Sequence, residues 1–170
     1  FEYLSGLEKL KIPIVLLDRD IECSHFDGVF IDNIQGSFNA VQSLVRAGHQ
    51  KIAFISGPVS NSTGRDRKAG FIKAMKEYNI HVHSTYMKEG NFTFEGGYRS
   101  INELLDLNDP PTAVFVANST MTKGVYQALC ERKLKIPEDI AMISFDKLVE
   151  HSNLSAVEQP VKEMGAKAAE

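Results

Sequence analysis

Short apolar runs alternate along the chain with longer segments whose apolar residues recur every three or four positions. Ile14 to Leu17 is a β-prone run that stops at Asp18, Arg19 and Asp20, and Val29 to Ile31 is a second that stops at Asp32 and Asn33. From Gly36 to Ala47, residues Phe38, Val41, Leu44 and Val45 fall on one helical stripe. Gly48 comes next, where a left-handed residue closes a helix. Ile52 to Ile55 predicts a buried strand ended by Gly57 and Pro58. Thr63 is placed to cap a helix that carries Phe71, Ile72, Met75 and Tyr78 on one side, with Arg67 in its first turn. Tyr86 to Lys88 is a weaker strand, and the helix after it aligns Tyr98, Ile101, Leu104 and Leu105 before Pro110 and Pro111 end it. Ala113 to Ala117 is the cleanest strand, and the helix beyond it holds Met121, Val125, Ala128 and Leu129 together. Ile140 to Ile143 runs on to Phe145, Leu154 to Val157 is a last short strand, and Pro160 opens a helix with Val161, Met164 and Ala168 facing inward.

Runs that are apolar throughout suit strands covered on both faces, and alternating β and α elements imply a parallel sheet with right-handed crossovers. The expected fold is therefore α/β with a doubly wound parallel sheet. At 170 residues, with 43% hydrophobic and 24% charged side chains, the chain can build a core without disulfide or metal. Its formal charge of −3 gives no reason to expect a basic face for nucleic acid. No apolar run is long enough for a membrane helix, and no signal-peptide core opens the chain. Two cysteines, Cys23 and Cys130, fit a reducing compartment, so a cytoplasmic globular domain is expected. The chain opens on a stub (Phe1 to Leu10) and stops inside a helix, which reads as a piece of a longer protein.

In an open α/β sheet, ligands sit beyond the carboxyl ends of the strands. The residues at those ends are polar in this chain: Asp18 and Arg19, then Asp32 and Asn33, Ser56 and Gly57, Gly90 to Phe92, Asn118, and Asp146. Gathered at one mouth, these acceptors, an amide and an aromatic ring would suit a small, neutral, hydroxyl-rich molecule. Asp and Asn also occur after strands because they cap helices, so both roles stay open for Asn118. Phe92 is open between core packing and pocket wall. Arg67, a cation near a helix start, calls for a ligand or a carboxylate partner. His81 and His83 have two-ligand spacing but no third ligand nearby, and His49 is placed to pair with terminal helix carbonyls. There is no glycine-rich phosphate loop, nucleophile elbow or Cys–His pair, so neither an enzymatic activity nor a cofactor or metal is expected.

Seven phrases in order carry a resemblance: Val29 to Asn33, Leu44 to His49, Lys51 to Gly57, Arg67 to Phe71, Pro111 to Phe115, Ile136 to Asp146, and Glu158 to Pro160 with Glu163 to Gly165. Together they resemble the effector-binding region of the lac-repressor family of bacterial transcription regulators, over nearly the whole chain from Ile12. The resemblance implies a two-lobed body of the periplasmic-binding-protein type (type I), with a sugar-like effector between the lobes. It assigns residues 1–33 to a fragment of the first lobe, 34–159 to an essentially complete second lobe, and 160–170 to a return segment. The helix-turn-helix that reads operator DNA in such proteins would lie outside this chain.

The resemblance also implies roles, position by position. Asp18 and Arg19 match first-lobe positions lining the cleft, and Asp32 a crossing that contacts effector. Asn61 and Thr63 match a loop that sets effector identity, Arg67 an effector clamp, and Phe92 an aromatic that stacks on it. Asn118 and Asp146 match a polar pair from two strand ends. Ser119 stands where relatives often carry Asp, which loosens any inference about the ligand. The implied protein is a homodimeric, sugar-responsive repressor. A solute-binding protein of a sugar transport system is the alternative, sharing the fold and the cleft. On this reading Arg67→Ala should abolish ligand stabilisation without unfolding the protein.

Overall fold

The computed structural model describes Gly6 and residues 12–21, 25–148 and 154–170; Cys23 and the opening stub apart from Gly6 lie outside them. In chain order the elements are β1 (Val15–Leu17), β2 (Asp27–Val29), α1 (Asn33–Arg46), β3 (Ile52–Ser56), α2 (Ser62–Glu77), a 3₁₀ turn (Ser84–Tyr86), β4 (Met87–Glu89), α3 (Phe94–Leu105), β5 (Ala113–Val116), α4 (Ser119–Glu131), β6 (Ala141–Phe145), β7 (Ser155–Val157) and α5 (Val161–Ala169). They form two compact units, one of Phe1–Ile31 with Pro160–Glu170 and one of Asp32–Gln159. No described helix is long and apolar enough to cross a membrane.

In the larger unit five parallel strands lie in the order β4-β3-β5-β6-β7. The chain moves outward from β3 to β4, then returns past β3 to β5, β6 and β7. With right-handed crossovers, that reversal puts α2 on one face of the sheet and α3 and α4 on the other. Accordingly α1 packs on α2, and α3 on α4. Strands β3, β5 and β6 are buried at every residue, as their unbroken apolar runs predict for a sheet covered on both faces. Phe54 lies at the centre, its ring 4.9 Å from that of Phe71 and 5.2 Å from that of Phe115, both near-parallel. Register accounts for one contact, since Phe54 of β3 is paired with Phe115 of β5.

The smaller unit departs from the expected burial. Parallel strands β1 and β2 pair Val15 with Asp27 and Leu17 with Val29, so the second strand starts two residues before the apolar run that suggests it. Leu16 is buried, whereas Val15 and Leu17 are exposed. In α5 the inner side is held by Met164, while Val161 is 67% exposed rather than packed inward. The stripe on α2 also differs. Phe71, Ala74 and Met75 are buried, but Ile72 is 42% exposed, because a helix turns 100° per residue and its neighbour Phe71 already occupies the centre of the buried face. Gly48 has φ of +93° and donates its N–H to the Val45 carbonyl, closing α1 as the sequence implies. His49 meets the end of the helix through its backbone, its N–H donating to the Leu44 carbonyl at 3.1 Å, while its Nδ1 meets the Thr112 hydroxyl at 3.0 Å.

Close approach of α3 and α4 depends on glycines. A Cβ on Gly97 would stand 2.2 Å from the Met121 carbonyl oxygen, and one on Gly124 would stand 2.1 Å from that of Phe94. Both obstacles are backbone, so neither can swing aside. Alanine in place of glycine gains up to about 1 kcal/mol of helix propensity, but overpacking costs about 1–3 kcal/mol, so the clash should win. Gly124→Ala is expected to lower the urea midpoint at unchanged slope; a raised midpoint would show that the helices separate at little cost.

Candidate functional site

Because β3 to β7 are parallel, their carboxyl ends share one edge of the sheet, and the strand order reverses between β3 and β5. The crevice outside such a reversal is where open α/β sheets hold ligands. Gly57 lies just beyond β3 there, and Ala117 and Asn118 just beyond β5.

Arg67 reaches this edge from the second turn of α2, not the first. The helix begins at Ser62, with Asn61 as its N-cap, so Thr63 lies inside the first turn and does not cap it. At 3% exposure the Arg67 side chain is buried. Its Nε donates to Asn33 Oδ1 at 2.8 Å and its Nη1 to the Ala117 carbonyl at 2.7 Å. The same Nη1 stands 4.0 Å from Asp146 Oδ2, and the guanidinium carbon lies 3.7 Å from the Phe145 ring centre. A buried cation thus meets a carboxylate, two neutral acceptors and an aromatic face, the partners its burial requires.

Asp146 leaves β6 with φ of +77°, a left-handed conformation uncommon for a residue with a side chain. Its N–H donates to the Val157 carbonyl at 2.9 Å, and its Oδ1 accepts a hydrogen bond from Gln159 Nε2. Phe92 is presented differently. Asn91 and Phe92 have φ of +54° and +59° in the tight loop between Gly90 and Thr93, which is closed by a Thr93 N–H bond to the Gly90 carbonyl and continues into α3 capped by Thr93. The turn lays the Phe92 ring over Gly57, where a Cβ would fall 2.0 Å from the ring. The ring is therefore at the strand-order reversal, half-buried, with a glycine beneath it that leaves room for it.

Of the nine residues proposed from sequence, the structure brings Arg67 and Asp146 to within 4.0 Å of each other, with Asn118 next in the chain to the carbonyl that Arg67 binds. Asn118 caps α4, its Oδ1 accepting from the Met121 N–H at 2.9 Å. Asp32 caps α1 in the same way, accepting from the Gln35 N–H at 2.8 Å. Asn61 stands at the N-cap of α2 without a side-chain capping bond, and Thr63 is buried behind it. Asp18 and Arg19 belong to the other unit. They lie just beyond β1, where Asp18 has φ of +62° and donates its N–H to the Val29 carbonyl.

Sequence reasoning places Asn33 among the polar residues at the strand ends but gives it no effector role, and it does not assign Phe145 or Gln159 to the site. Asn33 has a signal, being polar directly after a strand; the other two have none, because only tertiary contact puts Phe145 beneath the guanidinium and Gln159 on the carboxylate. Among the described residues no group of three or more His, Cys, Asp or Glu side chains is arranged to hold a metal. His81 and His83 lie edge to face, 4.5 Å between ring centres.

Residues 41–170 match the family described as periplasmic binding protein-like domain. Catabolite control protein A of Priestia megaterium is 33% identical over 172 residues, covering 98% of this chain and 52% of that protein. The HTH-type transcriptional repressor PurR of Klebsiella pneumoniae is 36% identical over 171 residues, covering 97% of this chain and 50% of that one. The chain thus spans about half the length of the curated relatives it matches. A crystal structure of a LacI-family regulatory protein from Chloroflexus aggregans superposes with a TM-score of 0.86 at 35% identity, over 97% of this chain and 61% of that one. A LacI-family sugar-binding transcriptional regulator from Escherichia coli, complexed with phosphate, gives a TM-score of 0.84 at 31% identity, over 99% of this chain and 62% of that one. Sequence phrases, sheet order and superposition agree, and the chain belongs to the periplasmic binding protein-like domain family, as an effector-binding region of the lac-repressor family.

Proposed function

We propose that this chain is the sensory part of a sugar-responsive, cytoplasmic transcriptional repressor, and that it holds a small hydroxylated molecule without transforming it. Residues 34–159 form one effector-binding lobe, and residues 1–33 with 160–170 are pieces of the other. Arg67, Asp146, Asn118, Phe92, Asn61, Thr63, Asp32, Asp18 and Arg19 contact the effector. The observation that carries this reading is the pairing of a buried Arg67 with Asp146 at the carboxyl edge of the sheet, with a Phe92 ring held in a left-handed turn at the strand-order reversal. A left-handed, half-buried phenylalanine is a poor choice for packing alone. It is a good choice where a flat apolar surface must face the C–H side of a sugar ring.

Operator DNA and a homodimeric partner engage through parts of the protein beyond this chain. Effector and operator are then linked by a coupling free energy of about 1–3 kcal/mol that acts in both directions. Relatives named as transcriptional repressors favour this reading over a transport protein with the same fold.

A thermal-shift screen of the intact protein against sugars, sugar phosphates and purines tests it. A ligand at 100 times its Kd adds about 2.7 kcal/mol of stability. Phe92→Gly removes the ring and relieves the left-handed backbone, so the free protein should melt no lower than wild type while the ligand shift is lost. A retained shift together with a lowered melting temperature would make Phe92 a packing residue and remove it from the site.

A further inference from the structure

We infer that Asn33 and Gln159 are positioning residues that tie both chain crossings to the Arg67–Asp146 pair. The chain passes between the two compact units at Ile31–Asp32 and again at Gln159–Pro160. Each crossing places an amide side chain within two residues of the boundary. At the first, Asn33 is buried and its Oδ1 accepts from Arg67 Nε at 2.8 Å. At the second, Gln159 Nε2 donates to Asp146 Oδ1, while the other oxygen of that carboxylate faces Arg67 Nη1 at 4.0 Å. The line Asn33, Arg67, Asp146, Gln159 therefore begins where the chain enters the larger unit and ends where it leaves, and its middle is the charged pair.

The chemistry of the two amides is complementary to what each one meets. Asn33 offers an oxygen to a cation, and Gln159 offers an N–H to an anion. Neither bond is needed by the element that carries it. Asp32 already serves the first turn of α1 through the Gln35 N–H, so Asn33 does no capping. The Asp146 N–H bond to the Val157 carbonyl, beside the β6–β7 pairing, already anchors that strand end, so Gln159 is not required to hold it. The left-handed backbone of Asp146 is the kind of conformation that persists only where several contacts fix it together. A guest that draws Arg67 or Asp146 toward itself would alter both bonds at once and so bias the chain direction at both crossings.

This inference rests on reading Arg67 and Asp146 as effector contacts, but its test uses no effector. In the intact protein with accessible cysteines replaced, nitroxide labels at Lys76 and Lys162, exposed positions on the two units, report the distance between the units by pulsed electron resonance. Asn33→Leu and Gln159→Leu should each shift or broaden that distribution. Asn33→Asp, which keeps an acceptor for Arg67, should leave it as in wild type. Gln42→Leu, which removes a side-chain bond from α1 to Tyr78 without touching Arg67, should also leave it unchanged. Wild-type distances in both leucine variants, whatever their melting temperatures, would overturn the inference, as would an equal change in Gln42→Leu. If Asn33→Leu does not fold, the part-buried Gln159 carries the test alone, with the same two outcomes. Failure of the effector reading would appear separately, as a wild-type protein that no compound in the screen stabilises.

Discussion

Replacing Arg67 with methionine is expected to cost about 3 kcal/mol of folding stability, because it leaves buried acceptors without a donor. The Ala117 carbonyl and Asn33 Oδ1 each lose a charge-assisted bond, and Asp146 loses the cation that faces it. Methionine fills much of the volume and keeps contact with the Phe145 ring, so the loss reports electrostatics more than a cavity. For a domain of this size, about 3 kcal/mol lowers the melting temperature by roughly 6–12 °C. Arg67→Lys should fall between, since one ammonium cannot supply the forked geometry that reaches Asn33 and Ala117 together. Urea denaturation at constant slope is the measurement, and a methionine variant within about 0.5 kcal/mol of wild type would refute the assignment. This changes the expectation drawn from sequence that Arg67→Ala would leave folding intact. With the side chain 3% exposed, clamp and structural anchor are the same group. A lost ligand shift in an Arg67 variant therefore does not isolate a ligand contact, which is why Phe92→Gly is the cleaner probe.

Truncating Phe54 should cost about 3–5 kcal/mol, the range for deleting a buried aromatic side chain. Phe54 touches Phe71 from α2 and Phe115 from β5, and all three are fully buried. One substitution therefore loosens a helix and the central strand pair together. A double-mutant cycle of Phe54→Leu with Phe71→Leu should show coupling of about 0.5–1.5 kcal/mol from the stacked rings. Ile72→Ala is the contrast. It neighbours Phe71 in sequence and periodicity groups the two together, yet its exposure of 42% limits the expected loss to under about 1 kcal/mol. Comparable losses at Phe54 and Ile72 would contradict this difference in burial.

The legibility of the chain differs from element to element for physical reasons. The apolar runs at β3, β5 and β6 mark their strands within a residue or two, because a strand covered on both faces needs apolar side chains at every position. Strand β2 lies earlier than its apolar run implies. Asp27 and Gly28 carry no β signal, and their pairing with Val15 and Leu16 is set by a neighbouring strand rather than by their own side chains. Helix α1 starts before its apolar stripe for a related reason: Asp32 caps it, but Asn33 at its first position resembles turn chemistry.

Taken alone, the sequence determined the alternation of elements, the parallel sheet and the set of polar residues at the strand ends, since periodicity and strand-end chemistry are local properties written in residue order. Tertiary structure decided which of those residues meet. Asn33, Arg67 and Asp146 are separated by 34 or more residues in the chain, and only the reversal of strand order brings a helix, two strand ends and a crossing to one guanidinium. It also decided that Asn118 spends its oxygen on a helix cap, and that Gln159, at a chain crossing, holds the carboxylate of Asp146. Burial and long-range hydrogen bonding depend on the packing of distant segments, and no pattern of neighbours in sequence encodes them directly.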